Sequence, residues 1–129
     1  MSNYGFGKLV ELGFDEAIER VTEELSKQGF GILTVIDVQA TLKAKLDRDM
    51  RPYRILGACN PVLADQAITA VPDIGLLLPC NVVVREDEEG RVHVDFMDPI
   101  AVLSLVDDAR VDPLANQVSE KLENVLAAL

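Results

Sequence analysis

The sequence has no tryptophan, one histidine and two cysteines among its 129 residues. Aromatic residues make up only 5% of the chain, so little surface is available on which nucleic-acid bases could stack. Lysine and arginine together number 12, against 22 aspartates and glutamates, which gives a formal net charge of −10. Because this charge repels phosphate backbones and anionic lipid headgroups, we expect neither nucleic acid nor a membrane surface as a partner.

Long apolar runs and a secretion signal are also missing. The longest apolar stretches, around residues 74–78 and 100–105, are far shorter than the about 20 residues that span a bilayer. Residues 1–5 lack the basic and apolar regions of a signal peptide. Two cysteines are too few for a disulfide-dense framework and fit reduced thiols. The sequence therefore predicts a cytoplasmic protein.

The common catalytic and metal-binding motifs are absent from the chain. It contains no phosphate-cradling glycine loop, no nucleophile elbow and no zinc-finger spacing. This pattern favours a binding or interaction protein over an enzyme, and it points to no cofactor, catalytic residue or complete set of metal ligands.

The apolar content is high for a chain of this length. Hydrophobic residues make up 49% of the sequence, although a short chain has proportionally more surface to cover. The length predicts a single domain over residues 1–129. A homodimer interface is the simplest place for the additional apolar side chains.

Periodicity and turn residues divide the chain into alternating strands and helices. We predict strands over 4–12, 30–38, 53–59, 81–85 and 91–97, and helices over 15–28, 39–46, 60–71, 99–106 and 112–129. Asp15 is the expected N-cap of the first helix and Gly29 its stop, and Asn60 is the expected N-cap of the third helix, with Pro61 at its first position. The second strand is apolar on both faces, which indicates a central strand. The order predicts one α+β domain with an antiparallel sheet and long helices packed on one face.

Three segments resemble the family called domain of unknown function 302. They are residues 36–43 (IDVQATLK), 55–61 (ILGACNP) and 75–84 (GLLLPCNVVV). The resemblance covers nearly the whole chain. It implies a curved antiparallel sheet in β-α-β4-α order, like that of TATA-binding-protein-like folds, and frequent dimers. It implies no established activity.

The doubled Cys-Asn string is the most informative pair of motifs. Cys59-Asn60 ends one predicted strand and precedes a helix, whereas Cys80-Asn81 opens the next strand. If the two strands are antiparallel, as the topology favours, both thiols and both amides converge on one rim of the sheet; parallel strands would separate them. The helix start would lower the pKa of Cys59, although packing is the more common role of a free cysteine.

Other polar residues offer further candidates. Asp37 ends an apolar strand, where it could cap the next helix, which is the more common role, or accept a proton from a bound substrate. Residues 43–54 carry five basic and two acidic residues, a net of +3. There Lys43 could bind an anion, or the segment could pair with the acidic turn 86–89 of a partner subunit. His93 is expected on the solvated face of the hairpin.

These observations favour a dimeric module that binds a small apolar or anionic ligand or mediates an interaction. The candidate ligand-binding residues are Cys59, Asn60, Cys80, Asn81, Asp37 and Lys43. The alternative is a thiol redox protein or a soft-metal (Cu or Zn) binding protein that uses Cys59 and Cys80.

Overall fold

The computed structural model describes residues 3–129. The strands are β1 (Gly5–Val10), β2 (Gly31–Asp37), β3 (Tyr53–Cys59), β4 (Cys80–Glu86) and β5 (Val92–Met97). The α-helices are α1 (Phe14–Lys27), α2 (Val38–Leu46), α3 (Pro61–Ala70), α4 (Pro99–Leu103) and α5 (Asp112–Ala128). Short 3-10 helices cover Pro72–Leu77 and Ser104–Val106.

The five strands form one sheet in the order β1-β5-β4-β3-β2, and every neighbouring pair is antiparallel. This arrangement confirms the predicted α+β fold with an antiparallel sheet in β-α-β4-α order. No helix among residues 3–129 is both long and apolar enough to cross a membrane.

The core lies between one face of the sheet and the long helices. In β5 the side chains of Val92, Val94 and Phe96 are buried, while the intervening His93 and Asp95 are only half-buried. This alternation follows from the two-residue period of a strand and agrees with the prediction. Helix α1 packs on β4 and β5, and α5 packs on α1, α3 and α4. The opposite face of the sheet is therefore turned away from α1 and α5.

The two ends of α1 differ in how well the sequence predicted them. Gly29 adopts a positive φ of 83°, and the N–H of Phe30 donates to the carbonyl of Leu25 at 3.0 Å. This Schellman motif confirms the predicted stop. The predicted N-cap, Asp15, is wrong, because the extended Gly13 is the N-cap and Asp15 lies in the first turn. There its carboxylate still interacts favourably with the helix dipole.

Strand β2 lies at the edge of the sheet, so the prediction of a central strand is wrong. Among residues 3–129 it pairs only with β3. Leu33, Val35 and Ile36 are 65%, 57% and 47% exposed. Two-sided apolarity identifies side chains that favour burial, but the order of the strands decides whether anything covers them.

Candidate functional site

The two cysteines lie at the same end of neighbouring strands. Cys59 is the last residue of β3 and Cys80 the first of β4, and Ala58 faces Cys80 in the antiparallel register. The predicted convergence of the two cysteines is therefore confirmed. It depends on the direction of the strands, since parallel strands would have placed them at opposite ends.

Both cysteines line an apolar cavity of about 280 Å³ that also contacts α3 and α5. Its walls include Phe30, Leu63, Ala67, Leu78, Leu114 and Val118. None of the lining residues is charged, and Asn60 is the only one with an amide side chain. The cavity is therefore suited to an uncharged, apolar molecule.

Asn60 holds the start of α3 against the end of α1. Its Oδ1 accepts a hydrogen bond from the N–H of Leu63 at 3.2 Å, and its Nδ2 donates to the carbonyl of Gln28 at 3.5 Å. The first bond confirms the predicted N-cap, and Pro61 follows at the first helical position. Both the oxygen and the nitrogen of the Asn60 amide therefore have partners within the chain. These two bonds join the start of α3 to the end of α1 at the rim of the cavity.

Both thiols are shifted towards their neutral form. Burial raises the pKa of Cys59, which is the opposite of the direction expected from the nearby helix start. Burial, with a smaller effect from the neighbouring Cys59, raises the pKa of Cys80 to about 11. Desolvation disfavours the thiolate form of both side chains. Both cysteines are free, and at neutral pH they are thiols rather than thiolates.

The family model described as domain of unknown function DUF302 matches residues 6–129. The chain belongs to this family. A crystal structure described as "uncharacterized conserved protein DUF302" from Bacillus stearothermophilus is similar, with a TM-score of 0.90 and 27% identity over 98% of each chain. No curated protein matches the chain. The description of the DUF302 family names no activity, so its function must be argued from the site.

Asn81 does not join the two cysteines in this DUF302 domain. Successive residues of a strand point to opposite faces, so the buried Cys80 faces the core while the exposed Asn81 faces away from it. Asn81 instead contacts a groove on the opposite side of the sheet. The expectation that both Cys-Asn pairs meet on one rim is thus wrong for Asn81.

Asp37 lies at the far end of β2 from the cavity, because Gly31 at the other end faces Cys59. Its Oδ1 accepts a hydrogen bond from the N–H of Ala40 at 2.9 Å, which confirms the predicted capping role at α2. Its Oδ2 lies 3.3 Å from Nη2 of Arg54. The structure does not bring Asp37 to the two cysteines.

Lys43 is also separate from the cavity. Its Nζ lies 2.9 Å from the carboxylates of both Asp47 and Asp49. These two hydrogen bonds raise the pKa of Lys43. Lys43 lines a different, smaller concavity together with Arg48 and Asp49, and not the apolar cavity.

The acidic turn 86–89, one of the alternatives considered as a contact for the basic segment of a partner subunit, has a partner in its own chain. Nη1 of Arg51 lies 2.6 Å from Oε1 of Glu86, and Nη2 donates to the carbonyl of Glu88 at 3.1 Å. Arg51 of the basic segment therefore pairs with this turn within one molecule.

The hairpin histidine is not simply solvated, which corrects the expectation for His93. Its Nε2 lies 2.8 Å from Oδ2 of Asp87. Asp87 also accepts hydrogen bonds from Glu89 and Arg91. The bond with His93 is the main cause that holds the pKa of Asp87 well below its usual range. Asp87 and His93 lie on either side of Gly90, the glycine of the hairpin turn. Their closeness to this turn could have indicated the contact from the sequence.

Sequence reasoning missed the wall of the cavity contributed by α5 and the 3-10 helix Pro72–Leu77. Leu114 and Val118 lie on the periodic apolar face of α5, but periodicity does not show which of these residues face a void. It also missed the polar groove on the other face of the sheet, whose members are distant in sequence.

Proposed function

We propose that this DUF302 domain binds a small, uncharged apolar molecule in the cavity beside Cys59 and Cys80. The observation that carries the proposal is the lining, which is apolar apart from Asn60 and the two thiols. A volume of about 280 Å³ is close to the lower end of the range of small-molecule sites. Since neither Lys43 nor any other charged residue lines this cavity, an apolar ligand is better supported there than an anionic one.

In this proposal the cysteines contribute contact surface. Neutral sulfur is soft and polarisable, so it packs well against an apolar ligand. The raised pKa of both thiols favours this role over redox chemistry, which needs a thiolate. Two thiols also leave a zinc site short of ligands, and the described residues contain no group of three or more metal-binding side chains. Free thiols agree with the cytoplasmic location expected from the sequence.

We further propose that a second copy of the chain pairs along β2. This edge presents an unpaired backbone together with exposed Leu33, Val35 and Ile36. Two such edges can pair antiparallel about a two-fold axis, so that one surface is complementary to itself. Leu33 also lines the cavity. A partner at β2 would therefore cover part of the cavity mouth.

Ligand binding is tested by thermal unfolding of the purified protein with a series of uncharged apolar molecules such as benzene, indole and hexanol. We expect at least one to stabilise the protein. We expect a weaker stabilisation of Ala67→Leu, whose larger side chain fills about a third of the cavity. Ala17→Leu, in α1 and outside the cavity, is the matched control and should keep the response. Absence of any response in the unmodified protein, or an equal response of Ala67→Leu, would contradict the proposal.

Pairing along β2 is tested separately by sedimentation. We expect a dimer for the unmodified protein and a monomer for Val35→Lys, which places a charge at the paired edge. Leu9→Lys, an exposed apolar residue on the opposite edge strand, is the control and should remain dimeric. A monomeric unmodified protein would refute the dimer without affecting the ligand proposal.

A further inference from the structure

A second concavity, of about 510 Å³, lies on the face of the sheet turned away from α1 and α5. It differs in character from the apolar cavity, because several polar side chains contact it. They are Tyr4, Tyr53, Asn81, Arg85 and Asp95. Asn81, Val83 and Arg85 alternate along β4, and Tyr53 of β3 faces Arg85, so the groove follows the strands.

One cation and one anion lie side by side in this groove without a close bond. Nε of Arg85 is 3.9 Å from Oδ2 of Asp95, which is beyond hydrogen-bond distance. The two side chains are 37% and 27% exposed. Apart from this ion pair with each other, neither side chain makes a side-chain hydrogen bond to another residue within 3–129. Both groups therefore retain capacity for a ligand.

Glycines on β1 make room for this arrangement. Gly7 faces Asp95 across the β1–β5 pair, and a Cβ at Gly7 would collide with Oδ1 of Asp95 and the carbonyl of Val94. Gly5 faces Met97 and lines the groove. Val83 and Met97 also line the groove, which therefore combines apolar and charged side chains.

We infer that this groove binds a small zwitterion that carries a carboxylate, an ammonium group and an apolar body, such as an apolar α-amino acid. A simple anion would be attracted by Arg85 but repelled by Asp95. A simple cation would be attracted by Asp95 but repelled by Arg85. A zwitterion satisfies both charges, with its carboxylate on the guanidinium and its ammonium on Asp95. Val83 and Met97 receive the apolar body, and Asn81 and Tyr53 offer neutral hydrogen bonds. This site is independent of the apolar cavity.

The test is an NMR titration of the ¹⁵N-labelled protein with millimolar leucine. Two matched probes each lack one charge: 4-methylpentanoate has no amine, and isopentylamine has no carboxylate. We expect leucine to shift the amides of Asn81, Val83, Arg85 and Asp95. Each probe should bind at least about tenfold more weakly, as for the loss of one charge-assisted hydrogen bond.

Two variants measure the contributions of the two charged side chains to binding separately. Arg85→Gln and Asp95→Asn should each weaken leucine binding by about tenfold or more while the spectrum remains that of the folded protein. Lys8→Gln, an exposed lysine outside the groove, should leave it unchanged. No shifts with leucine, equal binding of 4-methylpentanoate, or shifts confined to the surroundings of Cys59 and Cys80 would overturn the inference. If Arg85→Gln does not fold, Asp95→Asn and the two probes still decide it.

Discussion

Filling the apolar cavity should make the DUF302 domain more stable. Ala67 lies in α3, is 5% exposed and lines the cavity. Ala67→Leu adds three carbon atoms, each of which occupies about 30 Å³, roughly the share of one water in the liquid. Together they fill about a third of the 280 Å³. The helix tolerates the change, because leucine forms helices nearly as well as alanine.

The size of the effect follows from burial. Three buried carbons contribute about 2.4 kcal/mol to the free energy of unfolding, at about 0.8 kcal/mol each. Fixing the leucine side chain costs about 0.5–1 kcal/mol. We therefore expect a net stabilisation of about 1.5 kcal/mol, measured as a higher midpoint of urea unfolding at constant slope.

Ala17→Leu is the matched control for this prediction. Ala17 lies in α1, is 0% exposed and does not line the cavity. The same three carbons have no free space there, so we expect destabilisation by about 1–3 kcal/mol. If both variants are destabilised to a similar extent, the space beside Ala67 does not exist in solution and the reasoning fails.

Three further predictions concern the thiols, the hairpin and β1. Because the pKa of Cys80 is raised to about 11, its alkylation by iodoacetamide at neutral pH should be slower than that of a fully exposed cysteine. The alkylation rate should rise only in alkali, and rapid reaction at neutral pH would contradict this. The bond with His93 keeps the pKa of Asp87 low in the folded state, so its stabilisation is present above the unfolded pKa of about 3.9 and is lost on acidification. The urea midpoint of the unmodified protein should therefore fall from about pH 5 towards pH 2, and Asp87→Asn should reduce that dependence; an unchanged profile would count against the contact. Gly7→Ala should destabilise by about 1–3 kcal/mol because its Cβ collides with β5, whereas Gly31→Ala, with open space around it, should be neutral or slightly stabilising; equal effects in chemical denaturation would refute the collision.

The candidate site was only partly predictable. The antiparallel meeting of Cys59 and Cys80 followed from the order of the elements, and the capping roles of Asn60 and Asp37 from their positions before helices. The position of Asn81 on the other face was missed, although strand alternation alone could have indicated it. The pKa of Cys59 was predicted in the wrong direction, because burial depends on what the rest of the chain places around the thiol.

Local sequence determined which segments become strands and helices and where several of them stop. Gly29 and the Asn60-Pro61 pair act through their own backbone and side-chain chemistry, so neighbouring residues suffice to interpret them. Tertiary structure decided that β2 lies at an edge and that a cavity remains between α3, α5 and the sheet. It also decided that Arg85 and Asp95 share a groove. The physical reason is that strand order and packing voids arise from contacts between residues distant in the chain, which no local pattern records.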